Sequence, residues 1–184
     1  MIDLGATFHA MLAAVSGAST ADEAWKEVVA VGGQMGSVIP EDLTRMSAEA
    51  ETQTVASQLR GVLERNPIPP NVTFLYFGLF TALRVGSGEE AAGFYVAGGS
   101  STEAEPTIDR PEDLAYSPLD RFIESPLLER VKAEAPRAGE DHEFYDYALM
   151  FGAAAMLAKF AMRELGLKET LVVGFDSGDR AVVT

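Results

Sequence analysis

The chain contains no cysteine among its 184 residues. That excludes disulfide staples, cysteine nucleophiles and thiolate metal sites, and it fits a reducing, cytoplasmic setting. Histidine is nearly as scarce, with only His9 and His142. Basic side chains are few as well: 14 Lys and Arg stand against 28 Asp and Glu, a net charge of -14. A surface of that sign repels phosphate backbones, so nucleic acid is not an expected partner. The same field steers a basic protein inward and raises its on-rate. Long apolar runs are also missing. No stretch reaches the roughly 20 residues a membrane span needs, and the first basic residue is Lys26, so no positively charged secretory signal is expected.

Several motifs are absent. No Gly-Lys-Ser/Thr closes a glycine loop, no GxSxG elbow is present, and neither an HExxH nor a calcium-loop pattern occurs. The reading therefore assigns no cofactor and no metal, and leaves enzymatic activity unassigned with a lean toward none.

What is present is an ordinary core. Hydrophobic residues make up 47% of the chain, enough for one globular domain over residues 1–184. The organising stretch is 141–165. From Tyr147 to Ala158 it carries no charge, and Lys159 is the only charged residue before Arg163. A helix apolar around its circumference is buried on all sides, so this stretch predicts a long central helix.

Ahead of it, Leu4, Phe8, Met11, Leu12 and Val15 recur at helical spacing. Thr20 with Glu23 forms a capping-box pattern that opens a second helix. Pro40 with Glu41 and Asp42 suits another helix start. A phase slip between two apolar stripes places a break near Ser47, and Pro67, Pro69 and Pro70 end the helical region. The run 72–85 is rich in β-branched and aromatic residues. A buried helix fits an apolar run equally well, but glycines 86 and 88 and the alternation over 91–97 favour a hairpin. Ser117-Pro118-Leu119 and Ser125-Pro126-Leu127 each read as serine cap and proline first turn, predicting helices at 118–124 and 126–135. After Gly166, 171–175 and 180–183 flank Asp176-Ser177-Gly178-Asp179, a second hairpin signal. The expected class is α+β: about four antiparallel strands in two hairpins (72–85/91–97 and 171–175/180–183) against five to seven helices.

Five residues stand out as candidate binding groups. His142 and Asp146 are four apart, share a helical face, and have the donor types a cation needs. An imidazole among helix-start acids is also what a solvated surface looks like. Asp176 and Asp179 put two carboxylates on one turn, which is equally what a tight hairpin uses. Tyr116, inside the most acidic stretch, is expected to be exposed, whereas Trp25 and the other tyrosines fall in core-like patterns. Residues 103–146 hold thirteen acids against five bases.

Three functional readings follow. The first is a non-catalytic binding protein, inhibitor- or immunity-like, that meets a basic protein through residues 103–146. The second is a small-molecule or cation site near His142 and Asp146 or Asp176 and Asp179, with or without catalysis. The third is a homo-oligomeric module in which a second copy covers the apolar 72–97 hairpin.

Overall fold

A computed structural model describes residues 3–84, 86, 88, 90–104, 106, 108, 114–175 and 179–184. Among these described residues, six α-helices and a five-stranded sheet make up a mixed α/β fold. The helices are α1 (Leu4–Gly17), α2 (Ala21–Gln34), α3 (Glu41–Thr44), α4 (Ala48–Arg65), α5 (Pro126–Glu134) and α6 (Met150–Glu164). The strands are β1 (Phe74–Leu83), β2 (Glu90–Gly99), β3 (Phe122–Glu124), β4 (Thr170–Phe175) and β5 (Arg180–Val183).

The helix starts follow local chemistry. Asp3, Thr20, Ser47 and Ser125 each accept a backbone N–H of the first turn, which satisfies a donor that the helix itself leaves orphaned. The Thr20 box differs from the expected pairing in one detail. Glu23 Oε2 accepts from Ser19 N at 2.7 Å rather than from the cap residue's own N–H. The break near Ser47 is real, and Ser47 is the cap of α4.

Both predicted hairpins form, β1 with β2 and β4 with β5. The sheet is not wholly antiparallel, because β1 and β4 pair in parallel at its centre, Phe74 opposite Thr170 through Leu79 opposite Phe175. The strand order is β3-β2-β1-β4-β5. The fifth strand replaces the helix expected at 118–124. Phe122, Ile123 and Glu124 lie against Tyr95, Phe94 and Gly93. A helix there would need an apolar stripe after Pro118. Instead Leu119 is 98% exposed and Ile123 alone is buried, the alternation of a strand.

The central helix is also not uniform. Gly139–Asp141 is a 3₁₀ turn, Phe144–Leu149 is a π-helical segment, and α-helix resumes at Met150. The wider π turn lets Phe144, Tyr145, Ala148 and Leu149 all be buried. From Met150 to Ala158 every residue of α6 is buried. Gly152 lies close against both α1 and α2: a Cβ there would lie 3.0 Å from Met11 Sδ and from Val28 Cγ1.

The helices cover one face of the sheet, joining Leu75, Phe77, Leu79, Phe94 and Val173 to the main core. The other face carries Phe74, Tyr76, Tyr95 and Val172, packed under Ile108 and Leu114 of the segment that follows β2. The second face of the β1–β2 hairpin is thus covered in large part by the chain itself. Among the described residues, no helix is long and apolar enough to cross a membrane.

Candidate functional site

β4 stops at Phe175, opposite Leu79, while β1 continues to Leu83. The hydrogen bond from Thr170 N to Thr73 O turns the odd-numbered main-chain groups of β1 toward β4. Thr81 therefore presents its N–H and C=O past the end of β4, with no strand partner among the described residues. A cleft of ≈ 330 Å³ opens at this place, lined by Leu79, Thr81, Lys132, Asp146, Met150 and Phe175.

Its polar centre is an ion pair. Lys132, in the last turn of α5, donates to Asp146 Oδ1 at 2.8 Å. Asp146 comes from the π-helical segment, a distortion that is frequent at functional sites. Both side chains are partly exposed, 26% for Lys132 and 37% for Asp146. Such a pair adds at most about 1 kcal/mol to stability. The walls are apolar: Met150 and Leu79 are buried, and Phe175 is in ring contact with Tyr147 and Phe151.

The four sequence-nominated residues that the structure describes are not brought together. His142 is exposed, and its Nδ1 lies 3.1 Å from Gly139 O, within its own turn. Asp146 is the one that reaches a cleft, with a lysine rather than a histidine as its partner. Asp179 is exposed and its carbonyl accepts from Phe175 N at 2.8 Å, closing the turn of the second hairpin. Asp176 lies outside the described residues. Tyr116, expected to be exposed because of its acidic surroundings, is instead buried and only 5% accessible. A reciprocal pair of main-chain hydrogen bonds with Gly98 draws it onto the sheet, and its hydroxyl donates to Asn66 O at 2.7 Å. Burial, with the Asp120 charge adding to it, pushes that hydroxyl up to about 12.

The acidic stretch 103–146 is also less open than its composition implies. Asp120 pairs with Arg65, Glu124 and Glu129 share Arg84, Glu134 pairs with Arg137, and Asp146 with Lys132. The hydrogen bond from Arg65 holds the Asp120 carboxyl below its usual range. Asp141 and Glu143 have no ion pair among the described residues, while Glu105, Asp109, Glu112 and Asp113 lie outside them. Among the described residues no three His, Asp or Glu side chains converge as a metal site would require.

Sequence reasoning missed Lys132 and Thr81. Lys132 sits fourteen residues from Asp146, a separation with no local periodicity, and Thr81 matters through a main chain exposed by where another strand ends. Comparison with family models, with characterised proteins and with solved structures finds no match to this chain.

Proposed function

We propose that this chain is a binding protein for a small ligand, and that the ligand sits in the Lys132–Asp146 cleft. The observation that carries the reading is a combination that no other described nominated residue shows: a partly exposed ion pair, a main-chain edge at Thr81 with no strand partner among the described residues, and apolar walls. Ligand sites commonly join a mostly apolar cavity of about 300–1,000 Å³ to a few convergent polar groups, and this cleft is at the small end of that range. The ligand has an apolar body that packs on Met150, Leu79 and Phe175. Its polar head exchanges into the Lys132–Asp146 pair.

The test is a fragment screen read by backbone amide shifts. Bound fragments move the amides of Leu79, Thr81, Lys132, Asp146 and Phe175. Lys132→Met and Asp146→Asn each weaken them by about tenfold, the effect of one charge-assisted hydrogen bond. Fragments that shift amides elsewhere, or bind both variants as tightly as the parent chain, rule the cleft out.

A second reading, that of a partner for a basic protein, is favoured by one feature. Val38 is 86% exposed and lies with Pro40 beside Asp141 and the Glu134–Arg137 ion pair in a recess of ≈ 270 Å³. An apolar knob beside an acid with no ion pair among the described residues, Asp141, suits a basic segment with an aliphatic anchor. Affinity would fall with salt because it is largely electrostatic. A basic protein retained at low salt should be lost with Asp141→Lys and with Val38→Asp. Retention that ignores both salt and these substitutions removes the reading.

A further inference from the structure

β5 is one end of the sheet order, and its outer edge is uncovered by any described strand. The bond from Phe175 N to Asp179 O, with Val173 opposite Ala181 and Leu171 opposite Val183, fixes which groups face β4. Residues 179, 181 and 183 point their main chain inward. Arg180 and Val182 point theirs outward, and these N–H and C=O groups have no partner among the described residues. A cavity of ≈ 470 Å³ follows this edge, lined by Phe8, His9 and Leu12 of α1 on one side, by Pro106 on the other, and by Arg180 and Val182 themselves. An open strand edge is a template for another strand.

We propose that the occupant is a second copy of this chain, paired antiparallel through β5 about a two-fold axis at Ala181. Three observations select a second copy over a foreign strand.

The first is self-complementarity. Centred on Ala181, the register sets Arg180 opposite Val182 of the other copy and Val182 opposite its Arg180. All the outward groups are then satisfied by four hydrogen bonds, as an isologous contact requires. A register centred on Val182 would instead call on the main chain of Thr184, whose carbonyl oxygen is already taken by Lys159 Nζ at 2.9 Å.

The second is charge. Two copies at -14 each meet most easily where acids are few. Among the described residues, the edge cavity is lined by His9 and Arg180 and by no carboxylate.

The third is α1. Its fourteen residues, LGATFHAMLAAVSG, carry no charge, although Gly5, Ala6, His9 and Ala13 are exposed. A helix that is uncharged all round is normally covered. The two-fold axis places both α1 helices on the same side of the joined sheet, where the small side chain of Ala181 at the axis leaves room for them to approach.

The experiment is sedimentation of the full chain over a wide concentration range, with hydrogen exchange on the same samples. The parent chain is expected at twice the 19.7 kDa chain mass. The amides of Arg180 and Val182 gain protection as concentration rises, while that of Ala181, bonded within the sheet, does not change. Val182→Pro removes an outward N–H that β4 does not use, and weakens association by about tenfold or more. His9→Glu, on an exposed helical position, sets like charges across the axis and also dissociates the pair with the fold intact. A parent chain that stays monomeric at every concentration overturns the proposal and leaves the edge to solvent or to a foreign strand. A dimer that survives both variants also overturns it, because the interface then lies elsewhere.

Discussion

The Nζ of Lys159 lies 3.0 Å from the carbonyl oxygen of Val15, at the far end of a helix 144 residues away in sequence. The same ammonium donates to Ser16 O and Thr184 O, both at 2.9 Å. The one charge inside the apolar run of the central helix is thus a cap for α1. It satisfies carbonyls that a helix C-terminus leaves orphaned and complements the negative end of its dipole. α1 has no basic residue of its own in its last turn. Next to it, Arg163 donates to Ser19 O at 2.7 Å, so two cations of α6 tie down the α1–α2 connection.

Lys159→Met should therefore destabilise the fold although methionine suits a buried helix. Losing a charged donor shared by three carbonyls costs about 2 kcal/mol, measured as a lower midpoint in urea with an unchanged slope. The pH dependence has a definite sign. Burial, with Arg163 nearby, lowers the Lys159 ammonium below its ordinary 10.5. The unfolded chain then binds the proton more tightly than the folded one, so this group's contribution to stability rises with pH through the alkaline window below 10.5. That rise should be missing from the methionine variant.

Tyr116 gives a second pH test of opposite sign. Its folded value is raised to about 12 from an ordinary 10.0, by burial first and by Asp120 second. The folded state holds the proton longer than the unfolded chain. The contribution is complete below 10.0 and is lost as pH rises toward about 12. Tyr116→Phe should cost about 1 kcal/mol, the net worth of the hydroxyl's bond to Asn66 O. It should also remove a tyrosine that titrates toward about 12 from an ultraviolet absorbance titration.

Much of this architecture could be read from local sequence, and the parts that could not share a cause. Caps at Thr20, Ser47 and Ser125 are signalled within four residues, and both hairpins by a glycine-bearing connection. The parallel pairing of β1 with β4 joins segments about 95 residues apart, and nothing in either strand's composition states its neighbour. The two Ser-Pro-Leu signals look alike and end differently. Leu127 and Leu128 are buried, so the second becomes α5, whereas Leu119 has no core to reach and the first leads into β3. The candidate site shows the same division. Asp146 was visible as an acid at helical spacing, but its partner Lys132 is set by how α5 packs against the π-helical segment.

The sheet's tolerance for side chains yields a ranked prediction. A Cβ on Gly78 would run into the ring of Tyr95, whereas one on Gly93 would run into the main-chain carbonyl oxygen of Ile123. A ring can rotate aside at the cost of strain, typically about 1–3 kcal/mol for overpacking. A carbonyl in the neighbouring strand moves only by breaking the β2–β3 ladder. Gly93→Ala should therefore destabilise more than Gly78→Ala. In the Gly93 variant the amides of residues 122–124 should lose hydrogen-exchange protection. In the Gly78 variant the change should centre on Tyr95.

The opposite edge of the sheet from β5 is guarded by one side chain. Gln58 of α4 donates from Nε2 to Glu124 O at 2.9 Å and accepts from Glu124 N at 3.2 Å with Oε1. Its amide thus occupies the outward donor and acceptor of β3 as a neighbouring strand would, one of the ways an edge is protected from unwanted pairing. Alanine leaves both groups open to water, so the direct loss is modest, about 1 kcal/mol for two exposed hydrogen bonds. The larger consequence is association. With β3 unguarded and Phe122 beside it 56% exposed, Gln58→Ala should form higher-order species in sedimentation at concentrations where the parent chain does not. Gln58→Glu separates the two roles, because a carboxylate still accepts from Glu124 N but cannot donate to its carbonyl. It also sets a like charge beside the Glu124 side chain. It should be at least as destabilised as the alanine variant, yet should resist association through the added negative charge. Equal association by both variants would show that Gln58 contributes to stability without guarding the edge.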